Sequence, residues 1–101
     1  MGKSGEGVQM RQLESSIERR FVKDAKALGC LVYKLHEKDA PDRLILLPGG
    51  KPVFFEFKRS GGKPRPSQAY EHERLRARGF PVYAPDSYDK AMEALRNHMY
   101  K

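Results

Sequence analysis

The sequence is poor in several things that would point elsewhere. It has one cysteine, Cys30, in 101 residues. That excludes an internal disulfide and a cysteine-built metal centre, so Cys30 reads as a small buried hydrophobe in a reducing setting. No apolar run approaches the roughly 20 residues of a membrane-spanning helix. No helix carries a basic amphipathic anchor with exposed aromatics, so no membrane partner is expected. Residues 1–10 begin Met1-Gly2-Lys3-Ser4-Gly5-Glu6-Gly7, without the apolar segment of a secretory signal. They read as a flexible N-terminus, and the protein reads as intracellular. His36, His72 and His98 show no ligand spacing, which argues against zinc. His72 is expected on a helix surface or near phosphate. Acids are scarce too: 13 Asp and Glu stand against 20 Lys and Arg, a formal charge of +7. On so small a chain that excess favours an anionic partner, nucleic acid first, with general solubility as the plainer alternative.

What is present suits one folded domain over residues 11–101. Hydrophobic residues make up 39% and charged residues 33%, the balance of a globular chain. Leu13, Ile17, Phe21, Ala25 and Leu28 recur at helical spacing, with Gly29 as the stop. Glu14 and Glu18 lie on one side of that helix. Strands are expected over Cys30 to Leu35, Asp42 to Leu47 and Val53 to Lys58, the last two joined by the turn Pro48-Gly49-Gly50-Lys51. Ser67 is the expected cap of a helix running to Gly79. A short strand, Phe80 to Ala84, follows, with Pro81 placing it at an edge or a strand start. Ser87 caps a last helix whose stripe is Tyr88, Met92, Leu95 and Met99. The order α-β-β-β-α-β-α gives an α/β fold, a mixed sheet flanked by helices.

The chemistry centres on Pro52-Val53-Phe54-Phe55-Glu56-Phe57-Lys58. In an extended chain, Glu56 and Lys58 share one face and Phe55 and Phe57 the other. The hairpin sets Asp42 nearly opposite Glu56, where Cβ atoms lie roughly 5 Å apart. Two carboxylates at that distance suit a hard divalent cation, Mg²⁺ or Mn²⁺, with Glu14 or Glu18 able to complete the site. Lys58 can stabilise charge developing on phosphate or position a water. Gln68 can orient a water or a phosphate. Arg59, Lys63 and Arg65 offer cations to a phosphodiester backbone. Taken singly, Glu56 with Lys58 is an ordinary same-face ion pair, and Asp42 after Pro41 an ordinary turn residue. Their joint occurrence favours a metal-dependent phosphodiesterase site.

Pro41-Asp42 followed by Glu56-Phe57-Lys58 resembles the PD-(D/E)XK nuclease motif, and the element order looks like the restriction-endonuclease-like core of that superfamily. More narrowly, residues 13 to 98 resemble a stand-alone VRR-Nuc domain. The likeness runs through Glu14, Ala40-Pro41-Asp42-Arg43, Leu46-Leu47-Pro48-Gly49-Gly50 and Phe55-Glu56-Phe57-Lys58. It continues through Gly61-Gly62-Lys63-Pro64-Arg65-Pro66-Ser67-Gln68 and Gly79-Phe80-Pro81-Val82-Tyr83. The family often carries a glycine just before the Pro-Asp pair. This chain has Lys38-Asp39-Ala40 there, and Asp39 is the residue that can take a left-handed backbone. The resemblance implies a Mg²⁺- or Mn²⁺-dependent DNA endonuclease acting as a homodimer on branched DNA such as four-way (Holliday) junctions. It implies Glu14, Asp42, Glu56, Lys58 and Gln68 as catalytic residues. Asp42, Glu56, the Phe57 backbone carbonyl and Glu14, or Glu18 in its place, would hold metal, and Arg43, Arg59, Lys63 and Arg65 would contact DNA. The competing expectations are a non-catalytic DNA-binding module on the same fold, a nuclease of flaps or linear DNA, and a small interaction protein.

Overall fold

The computed structural model describes residues 13–99; the expected flexible N-terminus lies outside them. Helix α1 (Glu14–Ala27) forms where the apolar stripe requires it. Ile17, Phe21 and Ala25 are buried, whereas Leu13 and Leu28 at the ends of the stripe are exposed. Gly29 stops the helix at φ +92. Its N–H and that of Cys30 return to Lys26 and Ala25 carbonyls, a Schellman motif that satisfies the last turn.

Strands β1 (Leu31–Lys34), β2 (Arg43–Leu47) and β3 (Lys51–Phe55) form an antiparallel meander. Helix α2 (Pro66–Ala77) then crosses over to β4 (Val82–Tyr83), which pairs parallel to β3. The order β1-β2-β3-β4 is the expected mixed sheet. Helix α3 (Tyr88–Met99) closes the described chain, with the Ser87 hydroxyl accepting the Lys90 N–H as its cap.

One sheet face carries Ile45, Val53 and Phe55 into a core shared with α1 and α3. Phe21 lies 4.6 Å from Phe55 and 5.2 Å from Phe57 between ring centroids. Each such buried side chain contributes about 1.5–3 kcal/mol. Met92 and Leu95 are in this core, and Met99 packs against it. Cys30 is buried there too, and burial pushes its thiol pKa up.

Two local expectations change. The third strand was expected to reach Lys58 but ends at Phe55. The reason is on the neighbouring strand: β2 begins only at Arg43, so the ladder has no backbone partner for Phe57. The Asp42 carboxylate accepts the Phe57 N–H instead, at 2.8 Å. On the other side the extended backbone continues, with Glu56 and Lys58 N–H groups bonding to the Tyr83 and Pro85 carbonyls. The cap of α2 is Arg65 rather than Ser67. Pro66 fits the first helical position because it has no N–H to satisfy. The Gln68 side chain accepts the Arg65 N–H at 2.9 Å. Ser67, one residue inside the helix, donates to Asp39 at 3.0 Å.

Candidate active site

Beyond Phe55 the chain stays extended, and its two faces separate by chemistry. Phe57 enters the aromatic core, and Glu56 and Lys58 emerge together on the opposite face. Helix α2 lies over that face. Gln68 and His72 are one turn apart on it and both are buried.

Glu56 is only 1% exposed. His72, also 1% exposed, places Nε2 2.9 Å from Glu56 Oε1. Lys58 Nζ stands 2.9 Å from Glu56 Oε2. That contact pairs the second carboxylate oxygen with the ammonium, so each oxygen of the buried Glu56 has one cationic or polar partner. Lys58 Nζ also donates to Gln68 Oε1 at 3.0 Å, the same oxygen that holds the Arg65 N–H. Gln68 thus ties the ammonium to the start of α2. Burial alone would raise the Glu56 carboxyl, but the His72 hydrogen bond and the Lys58 ammonium outweigh it. The group is held below the ordinary carboxylate range.

Asp42 behaves in the opposite way. Burial raises its pKa, and the Phe57 N–H only partly offsets that. The charges of Glu56, Glu18 and Glu14 raise it further. Glu56, Glu18 and Glu14 therefore all lie near enough for their charges to act on Asp42. Glu14 is exposed on the first turn of α1. Glu18, one turn on, accepts from Arg43 Nε at 2.7 Å and lies 3.8 Å from Lys34 Nζ. Arg43, expected to contact nucleic acid, spends its guanidinium on Glu18. Arg59, Lys63 and Arg65 are exposed on the connection before α2. That connection is pinned by the Gly61 N–H donating to Asp86 at 2.9 Å.

The expectation for His72 is overturned: it is a buried partner of Glu56, not a helix-surface residue. The four-residue spacing from Gln68 puts both side chains on one helix face, but spacing alone does not say that the face is covered. Asp39 does take the left-handed backbone, at φ 62, so the loop before Pro41-Asp42 turns without glycine.

Among the described residues, no three His, Cys, Asp or Glu side chains stand close enough to hold an ion by themselves. Mg²⁺ does not need such a cage, since it takes one or two carboxylates and keeps its other positions for water and phosphate. The buried Glu56 carboxylate, the Asp42 carboxyl raised by burial and then by its acidic neighbours, and the all-oxygen donor set fit a hard divalent cation. No helix among the described residues is long and apolar enough to cross a membrane.

No family model matches the chain. A protein of Acyrthosiphon pisum secondary endosymbiont phage 1, "Putative nuclease p44", is 43% identical over 79 residues, covering 75% of this chain and 85% of that protein. A solved structure titled "VRR_NUC domain" superposes with a TM-score of 0.79 at 36% identity. It matches 88% of this chain and 99% of its own length.

Proposed function

The chain belongs to the VRR-Nuc family, and from that premise we propose that it is a divalent-cation-dependent DNA endonuclease hydrolysing phosphodiester bonds. The observation that carries the reading is the buried Glu56 carboxylate, held between Lys58 and His72 beside the raised Asp42. An acid buried this deeply is disfavoured unless partners compensate it, and here two side chains, His72 and Lys58, converge on it.

Asp42, Glu56 and the Phe57 carbonyl would hold Mg²⁺ or Mn²⁺, with Glu14 completing the set. Bound there, the cation offsets phosphate charge and acidifies a water. Lys58 donates its ammonium protons toward the phosphoryl oxygens as charge develops there. Gln68 fixes that ammonium through Oε1, and His72 fixes the Glu56 carboxylate through Oε1. Arg59, Lys63 and Arg65 bind backbone phosphates and position the strand.

The reading extends to a homodimer acting on branched DNA, including four-way junctions. Two-fold symmetry suits two equivalent strands. On the sheet face that carries Glu56, at its β1 end, Leu31 and Tyr33 are more than half exposed, an apolar surface on which a second copy can pack. The deciding experiment is cleavage of linear, flapped and four-way DNA with Mg²⁺, with Mn²⁺ and with chelator. Cutting that needs metal and is lost in Glu56→Ala supports the reading. Wild-type protein that cuts none of the three sinks it.

A further inference from the structure

We propose that a cavity of about 400 Å³ between the β1–β2 connection and the outer flank of α2 is a subsite for one unstacked nucleobase of the substrate. It rests on the nuclease reading and adds a specificity element to it. The walls are Lys38 and Asp39 on the connection, and Ser67, Tyr70, Glu71 and Arg74 on the helix. Its size falls in the range of small-molecule sites.

The chemistry of the walls selects the ligand. Tyr70 is 69% exposed, a rigid aromatic ring presented at the mouth of the cavity, and bases stack on such rings whatever their sequence. Glu37 joins Asp39 and Glu71 to give three acids against the two bases Lys38 and Arg74. That balance disfavours a phosphate and favours a neutral ring that donates protons. Asp39 engages Ser67 through Oδ1, and Glu71 engages Arg74 through Oε1. Each carboxylate keeps a second oxygen for an exocyclic amine, the group that adenine and cytosine carry.

Position ties the cavity to the cleavage site. Ser67 and Glu71 are the chain neighbours of Gln68 and His72, which hold Lys58 and Glu56 from the other flank of the same helix. Consecutive helical residues project about 100° apart, so the two flanks adjoin, separated by less than one helix diameter of about 10 Å. A base one or two nucleotides from the scissile phosphate reaches across that distance only if it leaves the stack, as bases at branches and bulges do. The substrate class is therefore DNA with an unpaired base beside the cleaved bond.

The test uses the full chain and branched DNA carrying a fluorescent adenine analogue at the branch. Stacking on Tyr70 alters the analogue's emission on binding. The change is expected to vanish in Tyr70→Ala and persist in Tyr70→Phe. The ratio of branched to linear cleavage is expected to fall about tenfold in Tyr70→Ala, or about 1.4 kcal/mol, and to be retained in Tyr70→Phe. Tyr70 lies on an exposed helix surface, so alanine there leaves the fold intact. Equal loss on branched and linear DNA, or an emission change that survives Tyr70→Ala, overturns the subsite while the nuclease reading stands. Wild-type protein that cuts no DNA overturns the nuclease reading, and the emission change still decides the subsite.

Discussion

Glu56 and Phe57 are neighbours in the chain and equally buried, at 1% and 0% exposure, yet they are held by opposite physics. Phe57 faces a dry aromatic cluster with Phe21 and Phe55, where burial is favourable in itself and independent of pH. Glu56 faces α2, where burial is unfavourable and only His72 and Lys58 reverse it. One extended segment thus carries a stabilising face and a functional face. The stabilising face makes the functional one possible, because the aromatic core fixes the backbone from which Glu56 and Lys58 project.

Mutations should separate the two faces. The largest expected effect is on catalysis. Lys58→Ala should lower the cleavage rate by about 10²–10³-fold, the scale of losing a charge-stabilising donor. A single-turnover assay with saturating metal checks it, and near-normal cleavage would remove Lys58 from the mechanism. Next comes stability on the dry face: Phe57→Ala should cost roughly 3–5 kcal/mol at any pH.

His72→Ala should cost less, roughly 2–3 kcal/mol near neutral pH, because it strips a buried carboxylate of a donor. Here the comparison becomes sharp. A carboxyl whose folded pKa is lowered contributes stability above its unfolded pKa and loses it as pH falls through the folded value. The His72→Ala penalty should therefore shrink on acidification while the Phe57→Ala penalty does not. Urea unfolding from about pH 7 to about pH 3 tests this. Parallel pH curves for the two variants would mean that Glu56 is not held by His72.

Asp42 gives a smaller effect of opposite sign. Its raised pKa means that the charged form destabilises the metal-free fold, a penalty that builds as pH rises from the unfolded pKa and is complete above the folded one. Asp42→Asn should therefore stabilise the metal-free protein at neutral pH, with the gain fading at low pH. The amide oxygen still accepts the Phe57 N–H. The same variant should lose cleavage, so melting in chelator and cleavage in Mg²⁺ should move in opposite directions. A destabilised Asp42→Asn contradicts this reading. The smallest effect is expected for Glu18→Gln, which loosens Arg43 at about 0.5 kcal/mol and spares most cleavage. A cleavage loss matching that of Glu56→Ala would assign the third acid to Glu18 instead of Glu14.

Much of this was legible from residue order. Period-two alternation put Glu56 with Lys58 and Phe55 with Phe57 on opposite faces. The Gly-Gly turn set the hairpin register, Arg43 opposite Phe55, which brings Asp42 to Glu56. Gly29 and Gly79 marked helix ends, and Asp39 replaced a turn glycine. Other features were not legible. Ser67 looked like a cap because hydroxyl residues commonly are, but Pro66 claimed the first helical position and freed Ser67 to bind Asp39. His72 looked like a surface residue because its own helix is strongly polar, and nothing local shows that a carboxylate lies beneath it.

The sequence by itself determined the elements, the two-faced segment and the hairpin register, since these depend on side-chain period and turn chemistry within a few residues. Only the tertiary structure decided which partners the buried charges take. His72 on Glu56, Gln68 on Lys58 and Glu18 on Arg43 join residues 10 to 25 positions apart. Charge pairing over such separations is set by how helices lie on the sheet, which local pattern does not encode.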